Sequence, residues 1–398
     1  MVRVVLLWSN KLSTSNQNRI ISAFLSVISL GIFIFAVSPV WADSSQPSAV
    51  KAKAAILGDV DSGAILFEQE VDQRRAPASL TKIMTLYLVY EALANGSLAL
   101  EDKLPVSEVA WRMGGSKTFV RVGDLVRVKD LILGIAVQSG NDACVVMAEH
   151  LAGSQAGFSD MMNNKAKELG MTVTHFVNPT GLPDDDHYST ARDIFILARA
   201  LIRDFPQYAN FVQEKQYTFN GIRQYNRNRL LWKDPTITGL KTGHTKAAGY
   251  CLIASNKKDG QRLVAVIMGA RSSKIREGEA LRLLRYGNRV YTTVRLYEAG
   301  AKVHTLRIWK GESEKISLIV PDEVLITIRR KQRGQLEVGL KHKEPLIAPY
   351  NTGEKVGSLL VKLGDEVVQT VPVVAAQGVK EGSFVRVLVD AVRLRFGL

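Results

Sequence analysis

The stretch Pro77-Ala78-Ser79-Leu80-Thr81-Lys82-Ile83-Met84-Thr85 pairs a hydroxyl with an amine at the start of an apolar run. Spacing of i and i+3 puts Ser79 and Lys82 on one helix face, close enough for the amine to accept the hydroxyl proton. Near neutrality a serine is a poor nucleophile without such a base, and a lysine can serve only if burial or nearby positive charge lowers its pKa. The residues after Lys82 supply the burial. From Ser79 to Ala94 the predicted helix is apolar nearly all round (Ile83, Met84, Leu86, Tyr87, Leu88, Val89, Leu93) and closes at Asn95-Gly96, so it belongs inside a domain. Its N-terminus adds partial positive charge where an oxyanion would form. By itself the tetrad also fits an ordinary helix start, and Ser255-Asn256-Lys257-Lys258 repeats its spacing beside a turn as a decoy.

Upstream, Ala54 to Val60 and Ala64 to Phe67 flank Asp61-Ser62-Gly63, which has the composition of a hairpin turn. Downstream, helical patterns cover Val128 to Val137, Asn141 to Leu151, Phe158 to Leu169 and Ala191 to Arg203, the last capped by Ser189-Thr190. Strand character returns at Gly249 to Ser255 and Leu263 to Gly269, followed by a helix over Lys274 to Tyr291. This order predicts an α/β (α+β) domain whose sheet takes strands from both ends of the sequence. From Ala301 to Ala376 short β-rich runs alternate with turns (Val303 to Trp309, Val324 to Ile328, Leu336 to Leu340, Val356 to Val361, Val367 to Val374), which predicts a small all-β sandwich.

Two further motifs carry chemistry. Ser139-Gly140-Asn141 lies at the junction of two predicted helices, where a hydroxyl can relay a proton and an amide can hold a substrate carbonyl; Asn141 also fits a helix cap. Lys241-Thr242-Gly243 sits on a probable strand, where Lys and Thr could bind a carboxylate and Gly would let a substrate backbone approach. In this order and spacing the three motifs are unlike independent accidents. They resemble the penicillin-binding proteins and serine β-lactamases, and more closely the low-molecular-mass serine D-alanyl-D-alanine carboxypeptidases. The stretches PASLTKIMT, QSGNDAC, NPTGLP, YSTARD, RNRLLW and KTGHTKAAGY also look like that family, over a resemblance running from Ala54 to the C-terminus.

The resemblance implies a β-lactamase/transpeptidase-like catalytic domain. It also implies acylation of Ser79 by a peptidoglycan stem peptide, with Lys82 as base and Ser139 and Asn141 completing the proton path and substrate hold. Lys241 and Thr242 would bind the terminal carboxylate, and the backbone N–H groups of Ser79 and His244 would form the oxyanion hole. β-Lactam antibiotics would leave a long-lived acyl-Ser79. No metal or organic cofactor is needed. A D,D-endopeptidase cutting cross-links, or a catalytically silent wall-binding protein, are the alternatives. The six His residues are scattered without an H-E-x-x-H pattern, and Asp184-Asp185-Asp186-His187 lacks the Gly and distal Glu of a calcium loop.

At 398 residues, 46% hydrophobic and 23% charged, the chain is long enough for two cores. Residues 1–42 contain Arg3, Lys11 and Arg19 and no acid, then an apolar run from Ile20 to Val37 and Val40-Trp41-Ala42. That order reads as a signal peptide cleaved after Ala42, with an uncleaved membrane anchor as the alternative. Cleavage lowers the net charge of +14 by three and leaves a basic chain. An exported basic protein meets the anionic cell wall and phospholipid headgroups, not nucleic acid. Cys144 and Cys251 form no C-x-x-C and read as buried thiols, with a single bridge possible after export. On a helical wheel Arg386, Asp390, Arg393 and Gly397 share one face of the tail, while Phe384, Leu388, Ala391, Val392 and Leu398 populate the other. Such a helix resembles an in-plane anchor for an anionic membrane surface, and docking on the protein's own β domain is the alternative. The expected order is therefore signal peptide 1–42, linker 43–53, catalytic domain 54–296, β-rich domain 297–378 and amphipathic anchor 379–398. The expected location is the periplasmic face of the cytoplasmic membrane, as a peripheral protein.

Overall fold

The computed structural model describes Arg3–Val4 and residues 47–396. Apart from those two residues, the expected signal peptide lies outside the described part. The described residues divide into two compact units, residues 47–294 with 325–330, and Arg3–Val4 with residues 295–324 and 331–396.

The first unit is built on a five-stranded antiparallel sheet. Its strands are β1 (Ala54–Asp59), β2 (Ile65–Gln69), β3 (Ile237–Thr245), β4 (Gly249–Lys258) and β5 (Gln261–Ala270), in the order β2-β1-β5-β4-β3. The sheet thus takes strands from both ends of the domain's sequence, as expected. Successive strand side chains point to opposite faces, and both faces here are apolar. Ile56, Ile253, Val264 and Val266 join the core shared with the helical block, while Leu57, Leu252, Leu263 and Ala265 pack under the helix Ser273–Val290 with Leu283 and Leu284. Sheet and helices therefore share two cores, one on each side.

The helical block contains α1 (Lys82–Ala94), α2 (Asn141–Ala152), α3 (Gln155–Glu168) and α4 (Ala191–Asp204). Helix α1 follows a 3-10 turn, Ala78–Thr81, and is buried without interruption from Lys82 to Tyr90. Thr190 caps α4 by accepting from Asp193 N–H, as the sequence suggests. The predicted helix from Val128 is α-helical only to Leu133 and continues as a π turn, Gly134–Gln138, that ends at left-handed Ser139. Residues 325–330 return to this unit, where Thr327 Oγ1 hydrogen-bonds Ser62 and Thr293.

In the second unit, Arg3–Val4, β8 (Leu336–His342), β9 (Lys355–Leu363), β10 (Glu366–Ala375), β7 (Lys315–Ile319) and β6 (Lys302–Arg307) follow one another in one hydrogen-bonded order. Ile308, Ile316, Leu318, Val338, Leu359 and Val373 are among its core residues. The chain continues to α5 (Phe384–Phe396). The sequence offers docking or membrane anchoring for this helix, and the structure uses its two faces differently. Buried Asp390 accepts from Lys310 N–H at 2.7 Å and Arg386 lies 3.5 Å from Glu314, so the polar face docks. The apolar face points out, with Phe384 81% and Leu388 55% exposed. Among the described residues no helix is long and apolar enough to cross a membrane.

Candidate active site

Strand β3, the Ser79 turn and the N-terminus of α2 meet at Lys82. Its side chain is fully buried, and Nζ donates to Ser79 Oγ at 3.2 Å, to Asn141 Oδ1 at 2.7 Å and to the Thr180 carbonyl. Desolvation pulls its pKa down to about 8, with Arg227 lowering it further and Cys144 and Asp142 opposing the shift. The i, i+3 relation thus survives the 3-10 turn, and burial supplies the acidified ammonium that a lysine base needs.

Asn141 is the first residue of α2, and Gly140 holds the cap position. Its amide is not used as a cap; besides accepting from Lys82 it donates to the Gly114 carbonyl at 2.7 Å. Ser139 lies 2% exposed at φ 68°, a conformation that costs a non-glycine residue about 1 kcal/mol or more and is held only where surroundings over-determine it. Its buried hydroxyl has no hydrogen-bond partner among the described residues. Next in the chain, Asp142 fixes the loop above the site. Its carboxylate accepts from the backbone N–H groups of Thr118 at 2.8 Å, Phe119 at 2.9 Å and Val120 at 3.4 Å.

Lys241 and Thr242 are buried on β3, and Lys241 Nζ donates to the Thr242 carbonyl at 3.1 Å. Burial, followed by the charges of Lys82 and Arg227, holds the Lys241 pKa well below the usual lysine value. Neither lysine forms an ion pair among the described residues. Gly243 permits a close approach, but of the protein's own chain: a Cβ there would lie 3.1 Å from Ser79 N and 3.2 Å from Pro77 O. The exposed His244 ring packs against Tyr250, with centroids 4.1 Å apart. The decoy tetrad falls on β4, where Ser255 Oγ lies 2.9 Å from Thr238 Oγ1. Cys144 and Cys251 are both free and buried.

Three contributors were not legible as site residues. The Thr180 carbonyl is backbone and leaves no sequence signal. Buried His187 lies 2.8 Å from Thr81 Oγ1, although in the sequence it stands only as the end of the acidic run Asp184-Asp185-Asp186. Arg276 reaches from the helix Ser273–Val290 to donate to the Gly243 carbonyl at 3.1 Å, bracing β3 from behind.

The family pattern described as D-alanyl-D-alanine carboxypeptidase matches residues 41–272, more than half of the chain. This chain belongs to the D-alanyl-D-alanine carboxypeptidase family. The C-terminal domain of penicillin-binding protein 5 matches residues 291–381. The carboxypeptidase is 40% identical over 355 residues to D-alanyl-D-alanine carboxypeptidase DacA of Escherichia coli (strain K12), covering 87% of this chain and 88% of the relative. It superposes on penicillin binding protein 5 from Haemophilus influenzae with a TM-score of 0.82 at 36% identity, over 84% of this chain and 99% of the other. Penicillin-Binding Protein D2 of Listeria monocytogenes in its ampicillin bound form is 32% identical with a TM-score of 0.57, over 61% of this chain and 100% of that one. The carboxypeptidase is therefore of the serine type, a transpeptidase-like α/β catalytic domain followed by a β domain.

Proposed function

We propose that the enzyme removes the terminal D-Ala of peptidoglycan stem pentapeptides through an acyl-Ser79 intermediate, with Lys82 as the base. The observation that carries this reading is the enclosed Lys82 ammonium, 3.2 Å from Ser79 Oγ and acidified by burial. Neutral Lys82 takes the Ser79 proton as Oγ bonds to the carbonyl carbon of the penultimate D-Ala. The carbonyl electron pair moves to oxygen, towards the N–H groups of Ser79 and His244. Collapse breaks the C–N bond, and the proton passes by way of the Ser139 hydroxyl to the amine of the departing D-Ala. Water then gives a proton to the same base as it attacks the ester, and on collapse the base returns that proton to Ser79 Oγ as the shortened peptide leaves with the new carboxyl group.

Substrate charge fits this assignment. Arg227 lowers the proton affinity of Lys82, and Lys82 and Arg227 together lower that of Lys241; neither lysine has an ion-pair partner among the described residues, so an entering carboxylate supplies a counter-charge. Lys241 and Thr242 are its seat, and Asn141 holds the substrate as well as the base. A β-lactam presents the same carboxylate and a reactive carbonyl, and we assign it to Ser79 as an inhibitor.

The exposed apolar face of α5 supports a peripheral position on the periplasmic face of the cytoplasmic membrane. Its buried polar side leaves Phe384, Leu388 and Val392 free to enter the headgroup boundary, with Arg393 and Arg395 in the last turn near anionic lipid. Incubation with a pentapeptide ending in D-Ala-D-Ala, and separately with a cross-linked dimer, tests the substrate assignment. Release of D-Ala from the pentapeptide is expected to outpace scission of the dimer. Faster scission would make the protein an endopeptidase.

A further inference from the structure

The loop Asn178-Pro179-Thr180-Gly181 lies against the Ser79 turn, and a buried histidine ties it there. Two of its carbonyls face α1: Thr180 O accepts from Lys82 Nζ, and Pro179 O accepts from Thr85 Oγ1 at 2.7 Å. Asn178 Oδ1 closes the loop by accepting from the N–H groups of Thr180 at 3.1 Å and Gly181 at 2.8 Å. Nothing larger than glycine fits between loop and turn, since a Cβ on Gly181 would lie 1.9 Å from the Ala78 carbonyl oxygen. His187 is 3% exposed and bridges the two sides. Its Nδ1 accepts from Val177 N–H at 3.2 Å, just ahead of the loop, and its Nε2 lies 2.8 Å from Thr81 Oγ1. With Nδ1 occupied by a donor, the ring proton resides on Nε2 and is donated to Thr81.

We propose that His187 is a positioning residue that clamps this loop to the Ser79 turn, fixes the Thr180 carbonyl on Lys82 Nζ, and so sets the proton affinity of the base. The proposal rests on the reading of Lys82 as that base. A carbonyl accepting from an ammonium favours the charged form and also aims Nζ at Ser79. The other charged groups acting on Lys82 are Cys144 and Asp142, which favour its charge, and Arg227, which opposes it, while Lys82 in turn lowers the proton affinity of Lys241. Around His187, burial dominates and pulls the ring down to about 4, against Asp184 and together with His175 and Lys82. The ring is thus neutral wherever Lys82 titrates, and a change in the lysine's titration cannot come from the histidine's own.

The test is the rate of acylation by benzylpenicillin from about pH 6 to about pH 10, normalised to the folded fraction measured by circular dichroism at each pH. The parent is compared with His187→Ala, His187→Gln and Thr81→Val. In His187→Ala and Thr81→Val the rate midpoint is expected to fall by about half a unit or more, and the plateau by about tenfold. His187→Gln, whose amide can accept from Val177 and donate to Thr81, keeps the parent's midpoint. An unshifted midpoint in either disruptive variant, or a glutamine variant as impaired as the alanine one, overturns the positioning role. Should His187→Ala not fold, Thr81→Val carries the comparison, because it leaves the ring in place and removes only its acceptor. A parent profile with no midpoint near the lysine's range sinks the assignment of Lys82 as base, and with it the role of His187, an outcome distinct from a normal parent with unshifted variants.

Discussion

Lys82 is enclosed on every side yet keeps three hydrogen-bond acceptors, so its ammonium is tolerated while its proton is easier to lose. With Lys82 as the proposed base, the form competent for acylation is the neutral amine. With the pKa lowered to about 8, the neutral fraction is about a tenth near pH 7 and most of the total above pH 9. Acylation by penicillin, followed in rapid-mixing experiments, is therefore expected to climb about tenfold per unit below the midpoint and then level off. A rate independent of pH across this span would remove Lys82 from the proton path. Lys241→Ala is expected to slow acylation by a substrate with a terminal carboxylate far more than by its neutral amide. A charge-assisted contact to a desolvated carboxylate contributes about 1.5–3 kcal/mol, or roughly 10- to 100-fold in rate. Equal losses on both substrates would move Lys241 into the proton path. At this scale the sequence exposed side chains whose chemistry depends on type and spacing, including Ser79, Lys82, Asn141 and Lys241. The Thr180 carbonyl stayed hidden because every residue has one, and His187 because its burial comes from packing remote in the chain.

Elements bring these residues together by close backbone approach and by buried carboxylate brackets. Gly243 on β3 sits where a Cβ would press on Ser79 N and Pro77 O, both backbone atoms that cannot swing aside. Gly243→Ala is expected to shift strand and turn apart by a few tenths of an ångström and lower acylation by about 10- to 100-fold, with little change in melting temperature. Full activity in this variant would show that the two elements have slack. Asp142 brackets the 118–120 segment, and the same loop supplies the Gly114 carbonyl to Asn141. Asp142→Ala leaves buried N–H groups unmet and is expected to cost about 2–4 kcal/mol in denaturant unfolding. An unchanged unfolding midpoint would contradict it. Long periodic elements such as β5, α2 and α4 were legible because their apolar pattern repeats over several turns or pleats. The hairpin of Gln216–Phe219 with Ile222–Tyr225 and the helix Glu108–Arg112 were not. Such short pieces are held by tertiary bonds, as when Gln224 Nε2 donates to the Thr118 carbonyl at 3.1 Å, and local propensity says little over so few residues.

For the whole molecule, the same chain carries the buried Lys82, Ser139 and Lys241 in one unit and a helix with an exposed apolar face in the other. The sequence wheel set Arg386 and Asp390 apart from Phe384, Leu388 and Val392, as the structure does, but Arg393 is exposed and Ala391 half-buried, Gly397 and Leu398 lie outside the described residues, and only the fold shows that Asp390 and Arg386 turn towards the β domain. The return of residues 325–330 to the first unit was likewise hidden, since a β-rich run carries no mark of the sheet it will serve. Leu388→Asp places a charge in the middle of the exposed face and is expected to reduce sedimentation with anionic vesicles several-fold, while D-Ala release from a soluble pentapeptide is unchanged. Vesicle binding that survives both this change and deletion of 379–398 would exclude α5 as the anchor. Acylation of Ser79 itself is tested most directly by mass spectrometry of the intact and digested protein after exposure to benzylpenicillin. One adduct is expected, on the peptide containing Ser79 and absent from a folded Ser79→Ala variant. An adduct on another residue, or one that persists in Ser79→Ala, would contradict the proposed nucleophile.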